Sequence, residues 1–146
     1  MANLHDIVQW CNQTLKANEF KDYAPNGLQI EGKAEVNKIV CAVTASEDAI
    51  DAAIAEKADA LLVHHGYFWK GEAYPITGMR GNRIKKLIQN NISLIAYHLP
   101  LDAHPSLGNN VAIADLIGLQ NLEALDPSEK HPIGNIAYLD QPLSPE

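Results

Sequence analysis

Short apolar runs alternate with helical patterns over the first hundred residues of the chain. Three runs have the length and character of buried strands, namely residues 39–43, 60–63 and 92–97. Near-continuous apolar strands that alternate with helices indicate a largely parallel sheet whose two faces are covered by helices. We therefore predict an α/β fold with a parallel or mixed sheet flanked by helices.

Four segments carry the apolar spacing or the end signals of helices. They are residues 3–17 with Asn3 as the N-cap, the stretch from Ser46 to residue 57, the stretch RIKKLIQNN after Asn82 as the N-cap, and residues 110–117, which end at Gly118. Between the first helix and the first strand, DYAPNGLQIEG contains a Pro, an Asn-Gly pair and a further Gly. We expect a loop or a short strand there.

The end of the chain differs from the rest in composition. Four of its eight prolines lie after residue 126, and residues 134–139 are the only strand-like segment there. Ser144, Pro145 and Glu146 have the order of an N-cap, a first helical position and an acidic first turn, and no helix follows. We therefore expect an α/β domain over residues 1–125 and a Pro-rich tail over residues 126–146 that begins a missing C-terminal portion.

The overall composition is that of an ordinary globular protein, with 47% hydrophobic and 20% charged residues. No apolar stretch approaches the roughly 18 residues that a membrane span needs, and the N-terminus lacks the blocks of a signal peptide. We therefore expect a cytoplasmic protein without a membrane partner. Cys11 and Cys41 lack metal-binding or redox spacing and lie in apolar surroundings, so we expect reduced, packed thiols.

The net charge of -7 argues against general binding to nucleic acid, which requires a basic face. Five of the eleven basic residues nevertheless lie close together after the paired histidines, and they are Lys70, Arg80, Arg83, Lys85 and Lys86. A solvated helix face is the simpler interpretation of such a cluster. If the fold directs these side chains at the histidines, they favour a small anionic substrate.

Polar side chains follow the apolar runs at the points where the strands end. The second run ends in His64 and His65, the third ends in His98, and Asp102 follows soon after. Because sites in open α/β sheets lie beyond the carboxyl ends of the strands, we expect these side chains to lie near one another. Imidazoles and carboxylates are the usual ligands of zinc, iron and manganese, and a carboxylate can bridge two ions. The sequence therefore indicates a metal site.

Other conspicuous residues have simpler explanations. His104 precedes a proline and is expected on the surface, and His5 and His131 have no supporting context. The aromatic triplet Tyr67, Phe68 and Trp69 is expected to pack a loop or form a subunit contact rather than to stack on a base. The glycines around this triplet indicate a mobile or sharply turning lid.

Four segments together resemble one known family. YAPNGLQIEG (23–32), VTAS (43–46), LLVHHGYFWKG (61–71) and YHLPLDAHPSLGNN (97–110) are similar to the bacterial Nif-three-like family, whose members are called GTP cyclohydrolase 1 type 2 homologs. The resemblance covers about residues 1–125. It implies the Nif-three-like fold, of which this chain would be the N-terminal part.

The resemblance also implies a dinuclear metal centre with His64, His65 and Asp102 as ligands of zinc, iron, manganese or magnesium. By the resemblance, His98 would line the site. Tyr67, Trp69 and Lys70, which follow the paired histidines, are further candidates to line it or to contact the substrate. Family members form hexameric rings, so a homo-oligomer is expected. The family's C-terminal His and Glu ligands have no counterpart before Glu146, and residues 131–139 read HPIGNIAYL where relatives have a GIGR-like segment. This chain would hold at most half of the ligand shell.

Two functions agree with these features. The first is a divalent-metal-dependent hydrolase, cyclohydrolase-like, that acts on an anionic substrate, for which a nucleotide is one candidate. No separate general base is evident, and the catalytic residues stay unassigned. The second is a non-catalytic, oligomeric metal-binding scaffold that binds a partner.

Overall fold

The computed structural model describes residues 1–139 and residue 141. The chain divides into two compact units, Met1–His98 and Leu99–Glu146. The predicted domain boundary at residue 125 stays a prediction. Helices are α1 (Leu4–Thr14), α2 (Glu47–Ala55), α3 (Gly78–Gln89), α4 (Leu99–Asp102) and α5 (Asn109–Leu116). Strands are β1 (Ala2–Asn3), β2 (Gly27–Ile30), β3 (Glu35–Val36), β4 (Ile39–Thr44), β5 (Ala60–His65), β6 (Ser93–Ala96), β7 (Glu123–Ala124) and β8 (Asn135–Ile136).

A four-stranded mixed sheet in the order β2-β6-β5-β4 forms the centre of the first unit. Strand β5 pairs in parallel with both β4 and β6, whereas β2 pairs antiparallel with β6. The register places Thr44 opposite His65 and Val63 opposite Ala96. The carboxyl ends of the three parallel strands therefore lie side by side. This arrangement confirms the predicted α/β class with a mixed sheet.

The core lies between the sheet and the helices α2 and α3. The two central strands are more buried than the edge strand β4, and all four residues of β6 are buried. Helix α2 contributes Ile50 and Ala53, and helix α3 contributes Ile84 and Leu87. Full burial of a large aliphatic side chain contributes about 1.5–3 kcal/mol relative to leaving it exposed. This packing holds the strand ends in a fixed register.

The edge strand β4 departs from the expectation that helices cover both faces of the sheet. Ile39 is 40% exposed and Val43 is 69% exposed, and Cys41 between them is exposed too. Alternate residues of a strand point to opposite faces, so these three share one uncovered face. The prediction of a packed Cys41 is therefore wrong. Cys11 is partly buried, which raises the pKa of its thiol.

The helix ends match the sequence signals with one exception. The Asn3 side chain accepts the His5 N–H at 2.9 Å, and Ser46 accepts the Ala49 N–H at 3.2 Å, so both predicted N-caps are confirmed. The predicted N-cap at Asn82 is wrong, because α3 already begins at Gly78. Arg80 donates to the Pro75 carbonyl at 2.9 Å and so binds the preceding loop to the first turn of the helix.

The second unit contains α4, α5 and the short β7–β8 pair. Helix α5 agrees with the predicted helix to within one residue, and Gly118 follows it with a φ of +75°, which only glycine adopts easily. The strand-like segment 134–139 forms only the two-residue strand β8. The predicted helix start at Ser144 lies outside the described residues. Over residues 1–139 and 141, no helix is long and apolar enough to cross a membrane.

Asp59, directly before β5, is a buried carboxylate with a structural role. It is 6% exposed and accepts hydrogen bonds from the Asn37 N–H (2.9 Å), the Lys38 N–H (3.2 Å) and the Lys33 ammonium (2.9 Å). These bonds, with the Asn37 N–H as the largest contribution, hold the pKa of Asp59 below its ordinary value. The folded state therefore binds this proton less readily than the unfolded chain does.

We expect Asp59→Ala to lower the free energy of unfolding by about 1–3 kcal/mol at pH 7, because two backbone N–H groups lose their acceptor. Since the folded pKa is the lower one, the difference from the wild type is fully present above about pH 4 and shrinks as the pH falls below it. Urea unfolding at pH 7 and pH 3 measures this difference, with exposed Asp48→Ala as the control. A difference that grows on acidification would contradict this role.

Candidate metal centre

Three histidines converge at the carboxyl end of the sheet in the first unit. His64 and His65 end β5, and His98 follows β6 by two residues. One ring nitrogen from each lies within 4.8 Å of the others, and the ring centroids of His64 lie 4.5 Å from His65 and 4.9 Å from His98. Adjacent strand residues normally point to opposite faces. At this strand end the two rings instead approach each other, as a shared metal site requires.

The hydrogen bond of His64 determines which of its nitrogens can bind a metal. Its Nδ1 lies 2.9 Å from the Tyr97 carbonyl oxygen. A carbonyl oxygen only accepts, so Nδ1 carries the proton and the Nε2 lone pair is the one suited to a ligand bond. Metal-binding histidines usually have their second nitrogen fixed in this way.

The other two histidines are also held through Nδ1. His98 Nδ1 lies 2.7 Å from a carboxylate oxygen of Asp22, and His65 Nδ1 lies 3.1 Å from the Thr44 hydroxyl. The hydroxyl can donate or accept, so either tautomer of His65 fits. The histidine side chains are only partly buried, and the His98 side chain is 17% exposed. The three rings thus share an accessible, polar locus.

The loop after β5 supports the cluster. Trp69 stands edge-on to His98, with ring centroids 4.9 Å apart, and donates its indole N–H to the Gly66 carbonyl at 3.1 Å. Tyr67 is 7% exposed, and its hydroxyl donates to the Ala45 carbonyl at 2.6 Å. Burial raises the pKa of Tyr67 to about 12. Tyr67 therefore packs the loop against the core, in agreement with the expectation that the aromatic triplet packs a loop.

Lys70 occupies a more open position than Tyr67 and Trp69. Its side chain is exposed, and its backbone N–H donates to the Tyr23 carbonyl at 2.6 Å. Lys70, Phe68, Tyr23 and Asp22 are among the residues that line an open cavity of about 510 Å³. Because Asp22 also contacts His98, this cavity adjoins the histidines.

Most of the remaining basic cluster is paired with carboxylates. Arg80 contacts Glu72 at 2.7 Å, Arg83 contacts Glu47 at 3.5 Å, and Lys86 contacts both Glu47 and Asp51. These ion pairs connect α3 with α2 and with the preceding loop. They favour the interpretation of the cluster as a solvated helix face.

Asp102 belongs to the second unit, where it ends α4 and accepts a hydrogen bond from the Asn109 amide at 2.8 Å. Its place among the metal ligands stays a prediction. The ring of His104 accepts the backbone N–H of Leu107 at 3.0 Å and so shapes the turn before α5. His104 is half-buried rather than fully on the surface.

A divalent ion fits this donor set. Three neutral imidazoles around one locus are a known ligand combination for zinc and for related ions that accept nitrogen ligands. The sequence identifies the three histidines, and the role of His98 as a site-lining residue stays a prediction. The sequence patterns do not reveal Asp22 and Thr44 as the hydrogen-bond partners of His98 and His65. The signals that were present are positional, since Asp22 begins the loop DYAPNG and Thr44 ends the first apolar run.

The comparison with known proteins agrees with the resemblance that the motifs indicate. The sequence matches the family described as Duf34/NIF3 (NGG1p interacting factor 3) over residues 2–146. The chain belongs to this family. A GTP cyclohydrolase 1 type 2 homolog from Haemophilus influenzae is a Duf34/NIF3 relative with 55% identity over 126 residues, which are 86% of this chain and 50% of the relative.

Two solved structures share the fold of this Duf34/NIF3 chain. The structure described as "Structural genomics, protein ybgI, unknown function" has a TM-score of 0.82 and 50% identity over 84% of this chain and 49% of that one. TTHA1606 from Thermus thermophilus has a TM-score of 0.80 and 41% identity over 86% of this chain and 52% of that one. The chain therefore spans about half the length of the relatives it matches.

Proposed function

We propose that this chain supplies part of the metal centre of a divalent-metal-dependent hydrolase whose substrate is a small anion. The convergence of three imidazole nitrogens within 4.8 Å at the ends of adjacent strands is the observation that carries this proposal. Such a cluster lies where α/β sheets usually place their sites. The hydrogen bond from His64 to the Tyr97 carbonyl favours the tautomer that a metal ligand needs.

A bound divalent ion supplies Lewis acidity, which makes water a nucleophile near neutral pH. In this proposal His64 and His65 bind the ion, and Asp102 adds a carboxylate that suits a second ion. Trp69 packs edge-on against His98 and supports that side of its ring. Lys70 is exposed on the rim of the adjoining cavity and suits a negatively charged group of the substrate.

The relatives support a nucleotide as the first substrate to test. The Haemophilus influenzae relative is called a homolog of GTP cyclohydrolase 1 type 2, while the ybgI structure is described as having unknown function. Hydrolysis of a nucleotide base or of a phosphoester is the corresponding activity. The relative with this name is about twice as long as this chain. The activity of the whole protein and its assembly into a homohexameric ring therefore stay proposals for this chain.

We expect Asp102→Asn to abolish metal-dependent hydrolysis of GTP or of other nucleotides and simple phosphoesters. The amide keeps the size and the bond to Asn109 but loses the negative charge that a metal ligand provides. Turnover is measured with added Zn²⁺, Mn²⁺ or Mg²⁺, and with exposed Asp115→Asn as the matched control. Turnover that survives Asp102→Asn would contradict the role of Asp102. A metal-loaded wild type without turnover of any of these compounds would favour the non-catalytic scaffold.

A further inference from the structure

Two side chains of the loop before β2 hold His98 from two directions. Asn26 accepts the backbone N–H of His98 at 2.7 Å, and Asp22 contacts the ring Nδ1 at 2.7 Å. The Asn26 amide also donates to the second carboxylate oxygen of Asp22 at 2.9 Å. The backbone and the ring of His98 are therefore fixed by one connected pair of side chains.

Asp22 is a carboxylate whose side chain is only 3% exposed. Besides His98 and Asn26, the Tyr23 N–H donates to it at 2.6 Å. A buried carboxylate is unfavourable unless it is fully hydrogen-bonded. Three donors meet that requirement, and the negative charge stays next to the histidine cluster, where it stabilises a bound cation.

The same contact sets the tautomer of His98. An ionised carboxylate only accepts, so the neutral imidazole carries its proton on Nδ1 and keeps the lone pair on Nε2. A carboxylate that fixes a histidine in this way is the usual arrangement behind a metal ligand, and removal of such a partner weakens metal binding by about 10–100-fold. His64 has the same tautomer through the Tyr97 carbonyl.

We propose that Asp22 is the positioning residue of His98. Held in this way, His98 is a third imidazole ligand beside His64 and His65. The ligand is a cation that accepts three imidazoles, with Zn²⁺ as the representative. This proposal rests on the metal centre of the proposed function. It adds His98 as a ligand and Asp22 as the residue that orients its ring.

Two measurements on the full chain test this proposal without using turnover. Calorimetric titration gives the Zn²⁺ affinity of the wild type and of Asp22→Asn, with exposed Asp6→Asn as the charge-matched control. We expect Asp22→Asn to weaken the binding of the first equivalent about 10–100-fold, and Asp6→Asn to leave it unchanged. Nitrogen NMR of the zinc-loaded wild type should show His98 bound through Nε2 and protonated on Nδ1. In Asp22→Asn, the neutral imidazole of His98 should also populate the Nε2–H tautomer.

Several results would overturn the proposal. They are unchanged affinity in Asp22→Asn, a zinc-loaded wild type in which His98 binds the ion through Nδ1, and a zinc-loaded wild type in which His98 does not bind the ion. None of these results by itself removes the proposed hydrolase, which depends on turnover. Conversely, tight binding by three histidines without turnover supports the site and contradicts only the hydrolase.

Discussion

Replacement of both His64 and His65 by Ala is expected to reduce the metal content of the purified chain from about one ion to a background level. Two of the three clustered imidazoles are lost, and the single remaining imidazole of His98 cannot hold an ion by itself. Elemental mass spectrometry on protein purified without chelator measures the content per chain. Because both side chains are partly exposed at a strand end, the fold should persist, which circular dichroism checks.

The matched control removes two histidines elsewhere. His5 is largely exposed and contacts Glu31, and His131 lies in the second unit. His5→Ala with His131→Ala should leave the metal content unchanged. Equal metal content in the wild type and in the His64/His65 variant would show that the ion is bound by other residues.

Gly66→Ala is expected to damage both stability and metal binding. A Cβ at this position would lie 2.2 Å from the Gln29 side-chain oxygen and 2.8 Å from the Cβ of Ala96. Gln29 can move only by giving up the Tyr67 N–H that it accepts at 2.7 Å, and Ala96 lies on the central strand β6. We expect the free energy of unfolding to fall by about 1–3 kcal/mol.

Because Gly66 directly follows His65, a displacement of the backbone at residue 66 should also move His65 and weaken Zn²⁺ binding. Chemical denaturation and calorimetric titration measure the two effects. Gly134→Ala is the control, since its Cβ would meet only the exposed side chain of Leu125, at 3.0 Å and beyond. A Gly66→Ala variant as stable as Gly134→Ala would mean that the loop after β5 adapts freely and does not fix the histidines.

The sequence predicts much of the fold because its signals are local. The apolar runs at β4, β5 and β6 and the caps at Asn3 and Ser46 identify elements that pack as expected. The start of α3 was mispredicted because Arg80 contacts loop carbonyls that precede the helix. Local patterns do not determine the order of strands in a sheet. The sequence therefore does not reveal that β4 is an edge strand or that Cys41 is exposed on it.

In the candidate site, too, local sequence signals reveal some residues and miss others. His64 and His65 were evident because two histidines abruptly end an apolar strand. The contact of Asp22 with His98 was not evident from the sequence. The two residues are 76 positions apart, and Asp22 lies in a loop that carries no periodic pattern. Tyr67 lies beside the histidines in sequence, which suggests a place in the site. Its hydroxyl instead donates to the Ala45 carbonyl within the core.

The X-ray absorption spectrum of the chain loaded with one equivalent of Zn²⁺ tests the central claim most directly. The outer-shell scattering of imidazole rings counts the histidine ligands. We predict three imidazoles with Zn–N distances of about 2.0–2.1 Å. A zinc ion coordinated by oxygen or sulfur, with one imidazole or none, would contradict the three-histidine site.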